Sequence, residues 1–244
     1  MSTLINEFSW SMSRHRLFER CRRQYFYHYY GSWNGWSAAA PELTQKLYHL
    51  KKLSNLPLLA GSCVHKGIEH IINGLINGGE VSQKAAEQEV IDQFKQTWRT
   101  SKRGAYEKNR LREHYYKEQI DDAYLISIRD LMIGCIRGFF NSGPYRLLSS
   151  PDISILANED LDAFTIDGTK VWANLDCAVQ QGSTLSIYDW KTGKPSEGDE
   201  LQLSIYALYA AYKWNADLDN TQVYDVYLKT TPPTSVPAHI NIDN

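Results

Sequence analysis

An α/β fold is predicted by three observations. Apolar residues recur at helical spacing over 58–77 and through much of 80–141. The apolar segment 171–179 and the one ending in Asp189-Trp190-Lys191 are separated by a Gln-Gly-Ser break at 181–183, the pattern of a β-hairpin. A strong helical stretch over 200–214 is then followed by a strand over 222–229.

Composition sets the outer limits. At 244 residues with 43% apolar content, the chain suits one sizeable domain, or a core plus an insertion. A net charge of −2 and a pI near 6.4 argue against a passive nucleic-acid coat, but they leave room for an enzyme with a local basic groove. Cys21, Cys63, Cys135 and Cys177 are widely spaced and form no C-x-x-C pair. That excludes zinc-finger spacing and a secreted disulfide framework. No leader-type apolar run opens the sequence, and no segment approaches about 18 unbroken apolar residues. The expectation is a soluble intracellular protein with no membrane span.

Taken in order, residues 8–30 open with serines suited to helix capping and continue as a helix with Leu17, Phe18, Cys21, Tyr25 and Phe26 near three- and four-residue spacing. Arg14, Arg16, Arg20, Arg22 and Arg23 interleave with its tyrosines. Either these arginines are a charged outer face, or they contact phosphates while aromatics such as Tyr25 pack or stack on bases; both readings can hold together. Residues 31–56, with Gly31, Gly35, Trp33 and Trp36, read as a loop or mobile arm. The 58–77 helix is entered after Gly61-Ser62, with Val64, Ile68, Ile71, Ile72 and Leu75 as its apolar face. His65 and Glu69 are four apart on one side of it, and His65 is either a metal ligand or a satisfied core histidine.

Helices are expected near 81–99 and 115–140, joined by a Lys/Arg-rich link over 99–112 that is either a solvated turn or part of a nucleic-acid channel. Residues 141–151 read as a turn-rich connector, and the Pro151-Asp152 dipeptide falls there, ahead of the strands. Strands follow over 153–179 around an Asp167-Gly168 turn. The polar, proline-rich end holds at most one more strand.

The chemistry concentrates in the hairpin. Alternate side chains of a strand share a face, so Asp189 and Lys191 point one way and Trp190 the other. Pairing with the preceding segment brings Asp176 beside them. The bland alternative is a surface hairpin with a solvated ion pair. Buried carboxylates repel unless a cation separates them, and Mg²⁺ or Mn²⁺ suits an all-oxygen site with open water positions. A lysine beside it can position or deprotonate water, or offset charge in a transition state. Lys194 lies in a KTGKP loop that fails the G-x-x-x-x-G-K-[ST] phosphate-binding pattern, which disfavours nucleotide hydrolysis by that route. Gln202 and Tyr206 share a face of the following helix.

The ordered set GSCVHKGIEH, LDCAV, YDWKTGK and QLSIYALY, with SWSMSRHRLFERCRRQYFYHYY ahead of it, resembles the RecB-like branch of the PD-(D/E)XK nuclease superfamily, including CRISPR-associated exonucleases, over about residues 8–230. The resemblance implies a restriction-endonuclease-like core, a mixed central sheet flanked by helices, with the site at one sheet edge. It implies one nuclease domain: N-terminal helices with the metal-ligand histidine over 8–78, a helical insertion over 80–141, and the catalytic sheet and Q-x-x-x-Y helix over 152–244. The chain could equally be a module of a larger protein.

By the same resemblance, His65, Asp176, Asp189 and the Trp190 carbonyl bind a divalent metal, Mg²⁺ or Mn²⁺. Lys191 activates water or stabilises charge, and Gln202 and Tyr206 orient the scissile strand or the lysine. Arg14, Arg20, Arg22, Arg23, Tyr25 and Lys194 are the candidate nucleic-acid contacts. Iron–sulfur members carry one cysteine in the first helix and three after the Q-x-x-x-Y helix. Here Cys21 has no such partners after Cys177, so no iron–sulfur cluster is expected and Cys21 is read as a core thiol. The expected activity is metal-dependent hydrolysis of DNA phosphodiesters in repair, CRISPR systems or anti-phage defence. The alternative is a catalytically idle subunit that binds DNA ends or a protein partner.

Overall fold

The backbone at Cys21 is extended (φ −163, ψ 102), which divides the arginine-rich segment into α1 (Met12–Arg20) and α2 (Arg22–Phe26). The expected single helix is therefore two, because the Cys21 sulfur accepts from the Gln24 N–H and caps the second. Cys21 is exposed, not a core thiol, and Phe26 is exposed as well. The computed structural model describes residues 5–104, 110–194, 199–230 and 233–237. A π-helical turn (Tyr27–Gly31) follows, and the expected arm over 31–56 contains a helix, α3 (Glu42–Lys51).

Helix α4 (Leu56–Ile76) begins earlier than Gly61-Ser62, because Asn55 caps it and Pro57 sits in its first turn. Leu59, Val64, Ile68, Ile71 and Ile72 on one side of α4 are buried. They pack against α5 (Gln83–Lys102) and α7 (Asp122–Phe140). The short α6 (Arg112–Tyr115) lies between these two, and α7 starts at its Asp121 cap, later than the expected 115. Residues 105–109 of the basic link fall outside the described residues. The connector after α7 contains α8 (Gly143–Leu148), capped by Ser142.

Two tight turns set the sheet. Strand β1 (Ser154–Ile166) turns at Asp167 and Gly168, both at positive φ (46 and 74), and returns antiparallel as β2 (Thr169–Gln181). Asp-Gly adopts that conformation at little steric cost. Gly182-Ser183 then leads antiparallel into β3 (Thr184–Lys191). Helix α9 (Asp199–Trp214) crosses over to β4 (Thr221–Tyr227), which pairs parallel to β3, and β5 (Thr234–Pro237) closes the order β1-β2-β3-β4-β5. This is an α/β fold with a mixed five-stranded sheet flanked by helices, in keeping with a restriction-endonuclease-like core. No helix among the described residues is long and apolar enough to cross a membrane.

The sheet separates two cores. Cys177, Val179, Tyr188, Trp190, Val226 and Leu228 face α4, α5 and α7. Ala173, Leu175, Leu185, Ile187 and Val223 belong to a second cluster with Leu203, Tyr206, Ala207 and Tyr209 of α9. Period-two alternation on β3 thus sends Trp190 into the first core and leaves Asp189 and Lys191 on the α9 side. Helix α7 approaches the sheet so closely at Gly138 that a Cβ there would stand 2.0 Å from the Leu228 carbonyl oxygen. Backbone cannot yield as a flexible side chain does, so Gly138→Ala is expected to destabilise the fold by about 2 kcal/mol. That lowers Tm by roughly 5 °C in thermal unfolding.

Candidate active site

The register of the two hairpins assembles the site. Asn158↔Cys177 and Asp160↔Leu175 bracket Glu159 and Asp176, which puts those two opposite each other. Continuing Cys177↔Tyr188 by one step puts Asp189 across from Asp176 on the other side. The parallel pairing of β3 with β4 sets Asp225 beside Asp189. Helix α4 delivers His65 from above the sheet. Asp176, Asp189 and Asp225 therefore lie on the interior strands β2, β3 and β4, and Glu159 on the edge strand β1.

His65 Nδ1 is 3.0 Å from Glu159 Oε1 and 3.4 Å from Asp176 Oδ1. Donor atoms of His65, Glu159 and Asp176 all lie within 4.8 Å of one another. The second Asp176 oxygen accepts from the Trp190 backbone N–H at 2.7 Å, which fixes the carboxylate. Burial, reinforced by the Asp189 charge, raises the Asp176 pKa to about 6, against the pull of His65. Burial pushes His65 down, but Asp176 and Glu159 outweigh it and hold the imidazole well above its ordinary value. Among the described residues, these three are the group geometrically suited to a metal.

Asp189 looks the other way. Lys191 Nζ lies 2.5 Å from Asp189 Oδ2 and 3.3 Å from Asp225 Oδ1. Gln202 Nε2 donates to Asp189 Oδ1 at 3.0 Å, and the Tyr206 hydroxyl donates to the same oxygen at 3.2 Å. Burial and the charges of Asp189 and Asp176 raise the Tyr206 phenol well above its ordinary pKa, so it remains a donor. The Q-x-x-x-Y pair thus addresses the first aspartate of the D-x-K triplet. Arg16 reaches from α1 to Gln202 Oε1 at 3.3 Å.

His65, Asp176, Asp189, Lys191, Gln202 and Tyr206 line one cleft of about 460 Å³, together with Ser11, Met12, Ser13, Leu161, Trp172 and Asn174. The arginine that borders it is Arg16. Arg14, expected at the nucleic acid, is instead buried: its guanidinium donates to Tyr25 and Tyr30 hydroxyls and to Ser9 Oγ and lies 4.3 Å from the Tyr29 ring centroid. Its charge is spent on internal hydrogen bonds and cation–π contacts, so Arg14 and its partner Tyr25 form a structural knot. Arg20, Arg22, Arg23 and Lys194 are exposed and do not line the cleft.

Glu159 and Asp225 are the two site residues that the sequence reading passed over. Glu159 was detectable from the Asp167-Gly168 turn, since counting outward from it pairs 159 with 176. Asp225 follows a crossover helix, and no turn counts its register.

The residues fit a hard divalent cation. The Lys191 ammonium meets Asp189 and Asp225, and His65 with Glu159 and Asp176 offers nitrogen and oxygen donors in reach of one point. The profile of the PD-(D/E)XK nuclease superfamily matches residues 9–240, and the chain belongs to that superfamily. Its members are in general metal-dependent nucleases. No curated protein sequence matches the chain.

Proposed function

We propose that this protein is a divalent-metal-dependent deoxyribonuclease of the RecB-like branch, hydrolysing DNA phosphodiesters in repair, CRISPR systems or anti-phage defence. One observation carries the reading: His65, Glu159 and Asp176 bring metal-competent donors together from α4, β1 and β2, and His65 and Asp176 share one open cleft with an Asp-Lys pair. His65, Glu159 and Asp176 would hold the ion, with Asp189 and the Trp190 backbone completing its surroundings. Mg²⁺ or Mn²⁺ bound there supplies Lewis acidity toward the phosphodiester and a more acidic water.

The protein's own groups do the rest. Lys191, fixed between Asp189 and Asp225, offers a cation to the negative charge that builds on phosphorus and positions the attacking water. Gln202 and Tyr206 hold Asp189 in orientation. Arg16 and the N-terminus of α1 place positive potential at the cleft mouth, where the strand's phosphates arrive. In-line displacement of the 3′ oxygen leaves a 5′-phosphate. One nuclease domain, with the α5–α7 helices as an insertion, is the organisation this reading implies.

The test is cleavage of end-labelled linear DNA and circular single-stranded DNA with Mg²⁺, Mn²⁺ or EDTA. Cutting is expected with either ion and not with EDTA. Gln202→Ala should slow it by about 10-fold, the size expected for a group that orients a metal-site carboxylate. A wild-type protein that binds DNA but cuts with neither ion points instead to an idle binding subunit.

A further inference from the structure

One wall of the cleft has no part in phosphate chemistry. Met12, Leu161, Trp172 and Ile205 line it, with Leu161 62% exposed and Trp172 36% exposed. Residues 172, 174 and 176 alternate along β2 and all open on the cleft, so the indole lies about 13 Å along the strand from Asp176. The main chain that carries the indole is pinned. The Trp172 backbone N–H donates to the Trp10 carbonyl at 2.9 Å, and the Trp10 backbone N–H donates to the Lys170 carbonyl at 2.7 Å. The Lys170 ammonium sits over the indole ring, 4.0 Å from its centroid.

Hydrolysis at phosphorus requires charge and hydrogen bonds, and a phosphate gains nothing from an exposed indole and leucine. A nucleobase does: every base has a flat π-face that stacks on aromatic side chains whatever its sequence. We propose that Trp172, with Leu161 beside it, forms a subsite for an unpaired nucleobase of the strand being cut. Lys170 is placed for the adjoining phosphate. This rests on the nuclease reading and extends it to a substrate class. Bases inside a duplex have both faces covered by their neighbours, so the strand must be single, frayed or flipped where it meets the indole.

Two measurements on the full chain test the subsite. The first compares kcat/KM for single-stranded and blunt duplex DNA of one sequence, in Mn²⁺, for wild type, Trp172→Phe and Trp172→Ala. Wild type is expected to prefer the single strand. Trp172→Ala should lose about 10-fold on it, mainly through KM, with little change on duplex, while Trp172→Phe keeps most of the activity. The second uses a single strand carrying 2-aminopurine, bound to the Lys191→Ala protein in Mg²⁺. Stacking quenches the probe, and adding Trp172→Ala relieves the quench. Unchanged single-strand kcat/KM and unchanged quenching in the Trp172→Ala proteins overturn the subsite. If wild type cuts nothing, the nuclease reading fails, and the Trp172-dependence of the quench alone decides for or against a base site.

Discussion

Asp176→Asn is expected to abolish metal-dependent cleavage and, in the same protein, to raise the stability of the metal-free fold. Asparagine keeps an oxygen for the Trp190 N–H and removes the charge that sits among Glu159, Asp189 and the apolar strands. The native Asp176 pKa of about 6 lies roughly two units above the free value, and each unit corresponds to about 1.4 kcal/mol. That value is already net of the His65 attraction, so the gain is on the order of 2 kcal/mol, a Tm rise of roughly 5 °C at pH 8.

The pH dependence has a definite sign. A carboxyl raised in the native state carries no penalty below pH ~4, where it is protonated folded or unfolded, and the full penalty above about pH 6. His65, raised in the folded state, contributes stability below its ordinary pKa that is lost as pH climbs through the raised value. Both groups make the metal-free wild type less stable at pH 8 than at pH 5, and the Asn variant should show a flatter profile. Metal binding displaces the shared proton, so Mn²⁺ should raise wild-type Tm most on the alkaline side and leave the Asn variant nearly unmoved. Scanning calorimetry at pH 5 to 8, with and without Mn²⁺, checks all three. An Asn variant that melts below wild type at pH 8 without metal contradicts the electrostatic account.

Lys191→Ala is expected to lower kcat by 10²-fold or more, as loss of a cation aimed at developing charge does. Stability and activity should separate in this case. Without the ammonium, Asp189 and Asp225 are left as buried neighbours on β3 and β4, and removing one member of such a pair destabilises by about 3 kcal/mol. Adding Asp225→Asn removes one of the two stranded charges. The double variant should recover most of the lost Tm and none of the lost rate. Single-turnover cleavage and thermal melts of the four proteins in the cycle give both coupling energies. If the second substitution restored cleavage, Lys191 would be a structural counter-ion and not a catalytic group.

Much of this site was legible because turns are countable. The turn at Asp167-Gly168 and the break at Gly182-Ser183 each fix an antiparallel register, and together they place Glu159 and Asp189 on either side of Asp176. Glu159 was missed because Asn158, Glu159 and Asp160 are consecutive polar residues, and only the count selects the middle one. The bulge between Ile155 and Ala157 lies beyond it and leaves that count intact. Asp225 was not legible, since parallel pairing through α9 is set by tertiary packing. Helix α3 was hidden because it lies among Gly- and Trp-rich turns and none of its residues is buried. The inward turn of Arg14 was hidden because a guanidinium held by tyrosines reads in one dimension like any arginine on a charged face.

The sheet topology also has a consequence for the order of assembly. Strands β1 to β3 are joined by two short turns, so their pairing requires little loop closure. Strand β4 reaches β3 only after α9 has crossed the face of the meander. Glu159, Asp176 and Asp189 are therefore gathered by local contacts, and Asp225 is pressed against them in the slow, non-local step. Pairing β4 with β3 sets Asp225 against the charge of Asp189. Lys191 on β3, in place before Asp225 arrives, is the group that lets the chain complete it.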